Sequence, residues 1–181
     1  MLSNITNFNN LNDWFYLIPA VILIDFIGLV LEKYPGNSPY FKVKTLDDWY
    51  TKFGILAVGS DVLSILIGIM VARYIYTTLN LNNPIYFIII LLVFQLLHDA
   101  LFYLAVIKPL PKGHNQMIDV FKSYGDENGG KILVADALLM LASVAAGSVL
   151  KSLPDHYTIA VSFITLYSLC YILYTRKPET T

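Results

Sequence analysis

Four aspartates stand inside long apolar runs of this chain: Asp25, Asp61, Asp99 and Asp136. A charged group at the centre of a membrane costs at least ~2.5–3.5 kcal/mol on insertion scales, so each marks a site or a bond between helices. The third run carries more polarity. Gln95 and Asp99 are four residues apart and share a helical face. His98 adjoins Asp99, about 100° further around a helix. In the second run Ser60 and Ser64 flank Asp61. Several carboxylates with one imidazole suit a divalent cation or a proton relay. The same acids, protonated or hydrogen-bonded, instead tie helices together, because burial favours a neutral carboxyl that can donate. A metal-dependent membrane hydrolase is a third reading. It has only His98 in place, since His114 falls in a loop and His156 near the opposite surface.

No catalytic or cofactor-binding residue can be assigned, and a metal remains an open question. The chain has no Gly-x-Ser-x-Gly elbow, no phosphate-binding glycine loop and no His-Glu-x-x-His. It also lacks a potassium-filter signature, and no lysine lies within a span. The single cysteine, Cys170, cannot form an internal disulfide and has no partner for a Cys-pair zinc motif.

The elements that must position these residues follow from composition. Of 181 residues, 56% are hydrophobic and 14% charged, where a soluble domain carries about 25% charged. Mean hydropathy is +0.61. The apolar residues gather in blocks long enough to cross a ~30 Å hydrocarbon layer. The expected fold is all-α, one transmembrane domain over 1–181 with about five spans, at 14–31, 54–76, 85–107, 132–150 and 157–174. Residues 1–13 contain no Lys or Arg, so the first block reads as a permanent span rather than a cleaved signal. Pro35, Gly36 and Pro39 break the loop after it. Thr45 starts a short helix with Asp47 and Asp48 in its first turn, where carboxylates suit the helix dipole. Leu46, Trp49, Tyr50 and Phe53 give it an apolar stripe, an interfacial lead-in to the second span. Met117, Ile118, Phe121 and Tyr124 recur at helical spacing between the third and fourth spans. They fit an amphipathic helix on the membrane, a protein contact or simple loop packing.

Charge sets the orientation. Lys33, Lys42, Lys44, Lys52, Lys108, Lys112, Lys122, Lys131, Arg176 and Lys177 fall on one side, and only Arg73 and Lys151 on the other. The positive-inside rule makes the first side cytoplasmic, with the N-terminus outside and the C-terminus inside. The sequon Asn4-Ile5-Thr6 lies on the outer side. Trp14, Phe15, Tyr16, Trp49 and Tyr50 sit near span boundaries, as aromatic belts do. Net charge is −1, which gives nucleic acid no basis for binding. The bilayer is the expected partner, with a protein contacting the cytoplasmic loops.

The four aspartates share a depth. Asp25 precedes Glu32 by seven residues, Asp61 follows Lys52 by nine, Asp99 precedes Lys108 by nine and Asp136 follows Lys131 by five. At 1.5 Å per residue all lie roughly 8–14 Å from the cytoplasmic flanking charges. Three of them begin Asp-x-Leu-x-x-Leu, at Asp61, Asp99 and Asp136, which reads as coincidence or a fossil repeat. Ser60, Ser64 and Gly68, and Ser143 with Gly147, form small-residue stripes that permit close helix approach.

Three stretches carry a resemblance: Asp48-Trp49-Tyr50 with Gly59-Ser60-Asp61-Val62-Leu63; His98-Asp99-Ala100-Leu101-Phe102-Tyr103; and Lys108-Pro109-Leu110-Pro111-Lys112-Gly113. Together they resemble multi-span membrane proteins of giant, nucleocytoplasmic large DNA viruses. The resemblance covers about a third of the chain and carries no activity with it. It implies a component of a virion's internal membrane or a host endomembrane, with basic loops touching capsid or other viral proteins. The leading expectation is a structural or assembly role. The alternatives are a small ion or proton transporter built on the aspartates and a metal-dependent membrane hydrolase.

Overall fold

The computed structural model describes residues 5–34 and 44–175. Asn4, Pro35, Gly36, Pro39, Lys42, Arg176 and Lys177, each named above, lie outside those residues. Every regular element among the described residues is helical: α1 (Trp14–Lys33), α2 (Lys44–Phe53), α3 (Ile55–Thr78), α4 (Pro84–Phe102), α5 (Gln116–Asn128), α6 (Lys131–Ser152) and α7 (Asp155–Ile172). Four helical stretches are long and apolar enough to cross a membrane: Leu11–Lys33, Ile55–Thr78, Pro84–Ile107 and Lys131–Ser152. The first includes a 3-10 turn, Leu11–Asp13, ahead of α1. The third continues past α4 through a π-helical turn, Tyr103–Ile107.

Local chemistry fixes the boundaries. Asn83 caps α4 by accepting from the Ile85 amide, and Pro84 occupies the first turn, where its missing N–H costs nothing. Asn115 caps α5 the same way through the amides of Met117 and Ile118. Gly54 separates α2 from α3 with φ +52° and ψ −124°, backbone that other residues strongly disfavour. The amphipathic lead-in is therefore a separate helix rather than the start of the second span.

Helix α1 is central, packing on α6, α7, α3 and α2. Helix α4 closes the other side against α3 and α6. Glycine permits two of these approaches. A Cβ at Gly147 would stand 2.9 Å from Leu17 Cδ2, and one at Gly68 would stand 2.1 Å from Met140 Cε. Both glycines belong to the small-residue stripes, and both face another span. Outward faces are apolar, with Ile67, Val93, Leu97, Phe163 and Ile164 among the exposed side chains.

The two amphipathic helices pack on each other and on the bundle. Trp49 of α2 meets Phe121 of α5 at 4.7 Å between ring centroids, and Phe121 meets Phe102 of α4 at 6.4 Å. Glu127 of α5 accepts from the amides of Lys44 and Thr45 at 3.2 and 3.1 Å, closing the start of α2. The apolar stripe of the second amphipathic segment packs within the chain.

Candidate functional site: an acid layer under a two-helix cap

Asp61 is held from outside its own helix. Its Oδ2 accepts from Trp49 Nε1 and from the Tyr50 hydroxyl, both at 3.0 Å. The turn at Gly54 folds α2 so that two polar-tipped aromatics reach one carboxylate. Tyr50 is buried and faces Asp25 as well as Asp61. Burial first, then the charges of Asp61 and Asp25, push its phenol well above the usual tyrosine range. Tyr124 of α5 descends from the other half of the cap. Burial, then the charges of Asp136, Asp61, Glu32 and Glu127, raise its phenol too. Asp136 in turn lies within electrostatic reach of Asp99 and Asp61.

The four aspartates thus belong to one electrostatically connected layer, running Asp25, Asp61, Asp136, Asp99. Asp99 takes Gln95 Nε2 at 2.9 and 3.0 Å on its two oxygens, and His98 Nδ1 lies 3.1 Å from Oδ1. The His98 ring stacks on Phe102 with 6° between planes, and its side chain remains 40% exposed. The serines stand apart. Ser64 points outward and donates to the Asp61 backbone carbonyl at 2.9 Å. Ser60 is half-buried. The Asp-x-Leu-x-x-Leu pattern has a geometric side. Each aspartate turns toward the bundle, and Leu63, Leu101 and Leu138, two residues on, are exposed. A two-residue step turns about 200° around a helix.

Among the described residues, no three of His, Cys, Asp and Glu converge closely enough to hold a metal ion. The hydrolase reading therefore has no ligand set here.

A second polar cluster lies at the opposite end. Arg73 and Asp13 are each 0% exposed. Arg73 Nη2 donates to Asp13 Oδ2 at 2.9 Å, to the Asn10 carbonyl at 2.9 Å and to the Asn7 carbonyl. Its guanidinium also stands 5.1 Å from the Trp14 ring centroid, a cation–π contact. Lys151 Nζ reaches Asp13 Oδ1 at 2.7 Å. Phe8 N donates to Thr77 Oγ1 at 2.9 Å. Residues 5–13 are thereby tied to α3 and α6. By sequence position Arg73 and Lys151 are flanking charges, and Asp13 has no evident role. Lys33 also reads as a flanking charge, whereas it is buried and paired with Asp47 at 2.7 Å.

No family model, no curated protein and no solved structure matches this chain.

Proposed function

We propose that this chain is a five-span integral membrane protein with a structural or assembly role, N-terminus outside and C-terminus cytoplasmic. One observation carries the role: Asp61, Asp99 and Arg73 are bonded within the chain, and the outward faces are apolar. Asp61 is bonded by α2, Asp99 by Gln95, and Arg73 by Asp13. Two surface hollows are lined away from the acid layer. One is an apolar groove between α1 and α7, lined by Trp14, Ile18, Ile159 and Phe163. The other is a polar bowl at the outer end, lined by Asn7, Asn9, Thr77 and Asn80.

Helix α7 is the proposed fifth span. Its 18 residues reach about 27 Å, close to the hydrocarbon thickness with little tilt. It buries Thr158, Thr165, Leu169 and Ile172 and exposes Phe163, Ile164, Tyr167 and Tyr171. The α2–α5 layer, with Lys44, Asp48, Lys52, Lys112, Asp126 and Lys131 exposed, is the proposed cytoplasmic surface for a protein partner. The resemblance to giant-virus membrane proteins supports a virion internal membrane as its setting.

Two measurements test this. Proteoliposomes holding the full chain carry no cation or proton flux above empty vesicles. A flux abolished by Asp61→Asn would make the protein a transporter instead. In a viral setting the protein is present in purified virions, and its absence there rules out the virion role.

A further inference from the structure

The bonding just described leaves out Asp25. Asp25 lies in α1, 3% exposed, and its Oδ2 has no hydrogen-bond partner. The groups that reach Asp25 are Tyr50 on α2 and Asp61 on α3. Asp61 Oδ2 already takes Trp49 Nε1 and the Tyr50 hydroxyl. The phenol of Tyr50 gives its one proton to Asp61 and stands beside the Asp25 carboxyl.

A buried carboxylate oxygen with no donor is costly, and two carboxylates at one site repel. A positive occupant shared by the two carboxyls offsets both costs. A calcium ion takes six to eight oxygens and magnesium a near-ideal octahedron. No third His, Cys, Asp or Glu joins the pair closely enough for a metal ion among the described residues. A proton needs no further ligands.

Among the described residues, the surrounding elements supply no competing cation. On α1 itself, Lys33 is two turns away and held by Asp47 and Thr51 at 2.7 and 3.3 Å. Glu32 on α1 faces Tyr124 of α5. Helix α6 brings Asp136, which lies with Asp99 and Asp61. Helix α7 turns Thr158, Thr165, Leu169 and Ile172 inward, none of them titratable.

We propose that Asp25 and Asp61, bridged by the Tyr50 hydroxyl, form a proton-binding site that holds one proton between the two carboxyls. The ligand is the proton itself, and α2 is the element that covers the site. Binding of a proton is distinct from its transport, so this inference stands whether or not the protein carries a flux.

The test is infrared difference spectroscopy of the full chain in phosphatidylcholine vesicles, stepped between acidic and alkaline buffer in H2O and in D2O. The wild type shows the C=O stretch of a protonated carboxyl that titrates and shifts on deuteration. Asp25→Asn, an isostere, removes one carboxyl's share of that band. Tyr50→Phe leaves the Asp25 carboxyl in place but moves the frequency of the band, because the hydroxyl beside it that bonds Asp61 is lost. The second variant decides the matter if Asp25→Asn fails to fold. A band unchanged in both variants overturns the proposal. So does a band that disappears when sodium chloride replaces choline chloride, since the occupant would then be a metal cation.

Discussion

Removing the Asp13 carboxylate exposes how much the outer cluster holds. Asp13 and Arg73 are both fully buried, while the Lys151 side chain is 22% exposed. Asp13→Ala deletes the acceptors of Arg73 Nη2 at 2.9 Å, Lys151 Nζ at 2.7 Å and Asn10 Nδ2 at 2.9 Å. Lys151 can turn toward water, so its loss is small. Arg73 cannot. Its Nε and Nη1 already lack hydrogen-bond partners, and the guanidinium is left with two backbone carbonyls and the Trp14 ring. Breaking a buried pair by removing one member costs about 3–5 kcal/mol. For a chain of this length that lowers Tm by roughly 10 °C. Thermal unfolding of the purified protein in detergent measures it. Asp13→Ala/Arg73→Met supplies the control, because replacing a buried pair by apolar groups is often near neutral. The double variant will be more stable than Asp13→Ala alone. A loss below about 1 kcal/mol for Asp13→Ala, the value of an exposed pair, refutes the reasoning. So does a double variant that is worse than the single.

Three other outcomes follow from the geometry. Trp49→Phe removes one of two donors to Asp61 Oδ2 and will cost about 1–3 kcal/mol, read by the same unfolding assay. Gly68→Ile will destabilise by about 1–3 kcal/mol through overpacking, whereas Gly68→Ala is milder because the atom it meets is the mobile tip of Met140. Tyr124 will stay unionised in a phenolate absorbance titration at a pH where exposed tyrosines ionise. A phenol raised in the folded state contributes stability that is complete below about pH 10, the unfolded value, and is lost as pH rises toward the folded one. Stability that stays flat above pH 10 in wild type and Tyr124→Phe alike would count against this.

The helices were legible because each signal is local. Blocks of apolar residues long enough to span, and the stripe Leu46, Trp49, Tyr50, Phe53, can each be read along one stretch of chain. The common depth of the aspartates could also be counted from their flanking lysines. Their partners could not. Trp49 and Tyr50 looked like an aromatic belt, and only the turn at Gly54 folds them back onto Asp61. Asp13 and Arg73 are 60 residues apart and belong to different elements, so no spacing links them. Tyr124 reads as part of an apolar stripe, while its phenol lies within electrostatic reach of acids on α1, α3 and α6. Glu32 and Lys33 illustrate the same limit. Charges that end an apolar block read as solvent-facing, yet the covering helices α2 and α5 bury both.

Substituted-cysteine labelling in sealed vesicles tests the central claim most directly. Cys170, exposed and free, is first replaced by serine. Single cysteines are then placed at Asn9, Asn82, Lys112, Leu153 and Thr175 and exposed to a membrane-impermeant maleimide. A five-span protein with its N-terminus outside labels Asn9, Asn82 and Leu153 from the outer face, and Lys112 and Thr175 only from the cytoplasmic face. Labelling of Leu153 and Thr175 from the same face would show that α7 does not cross the membrane and would contradict the account.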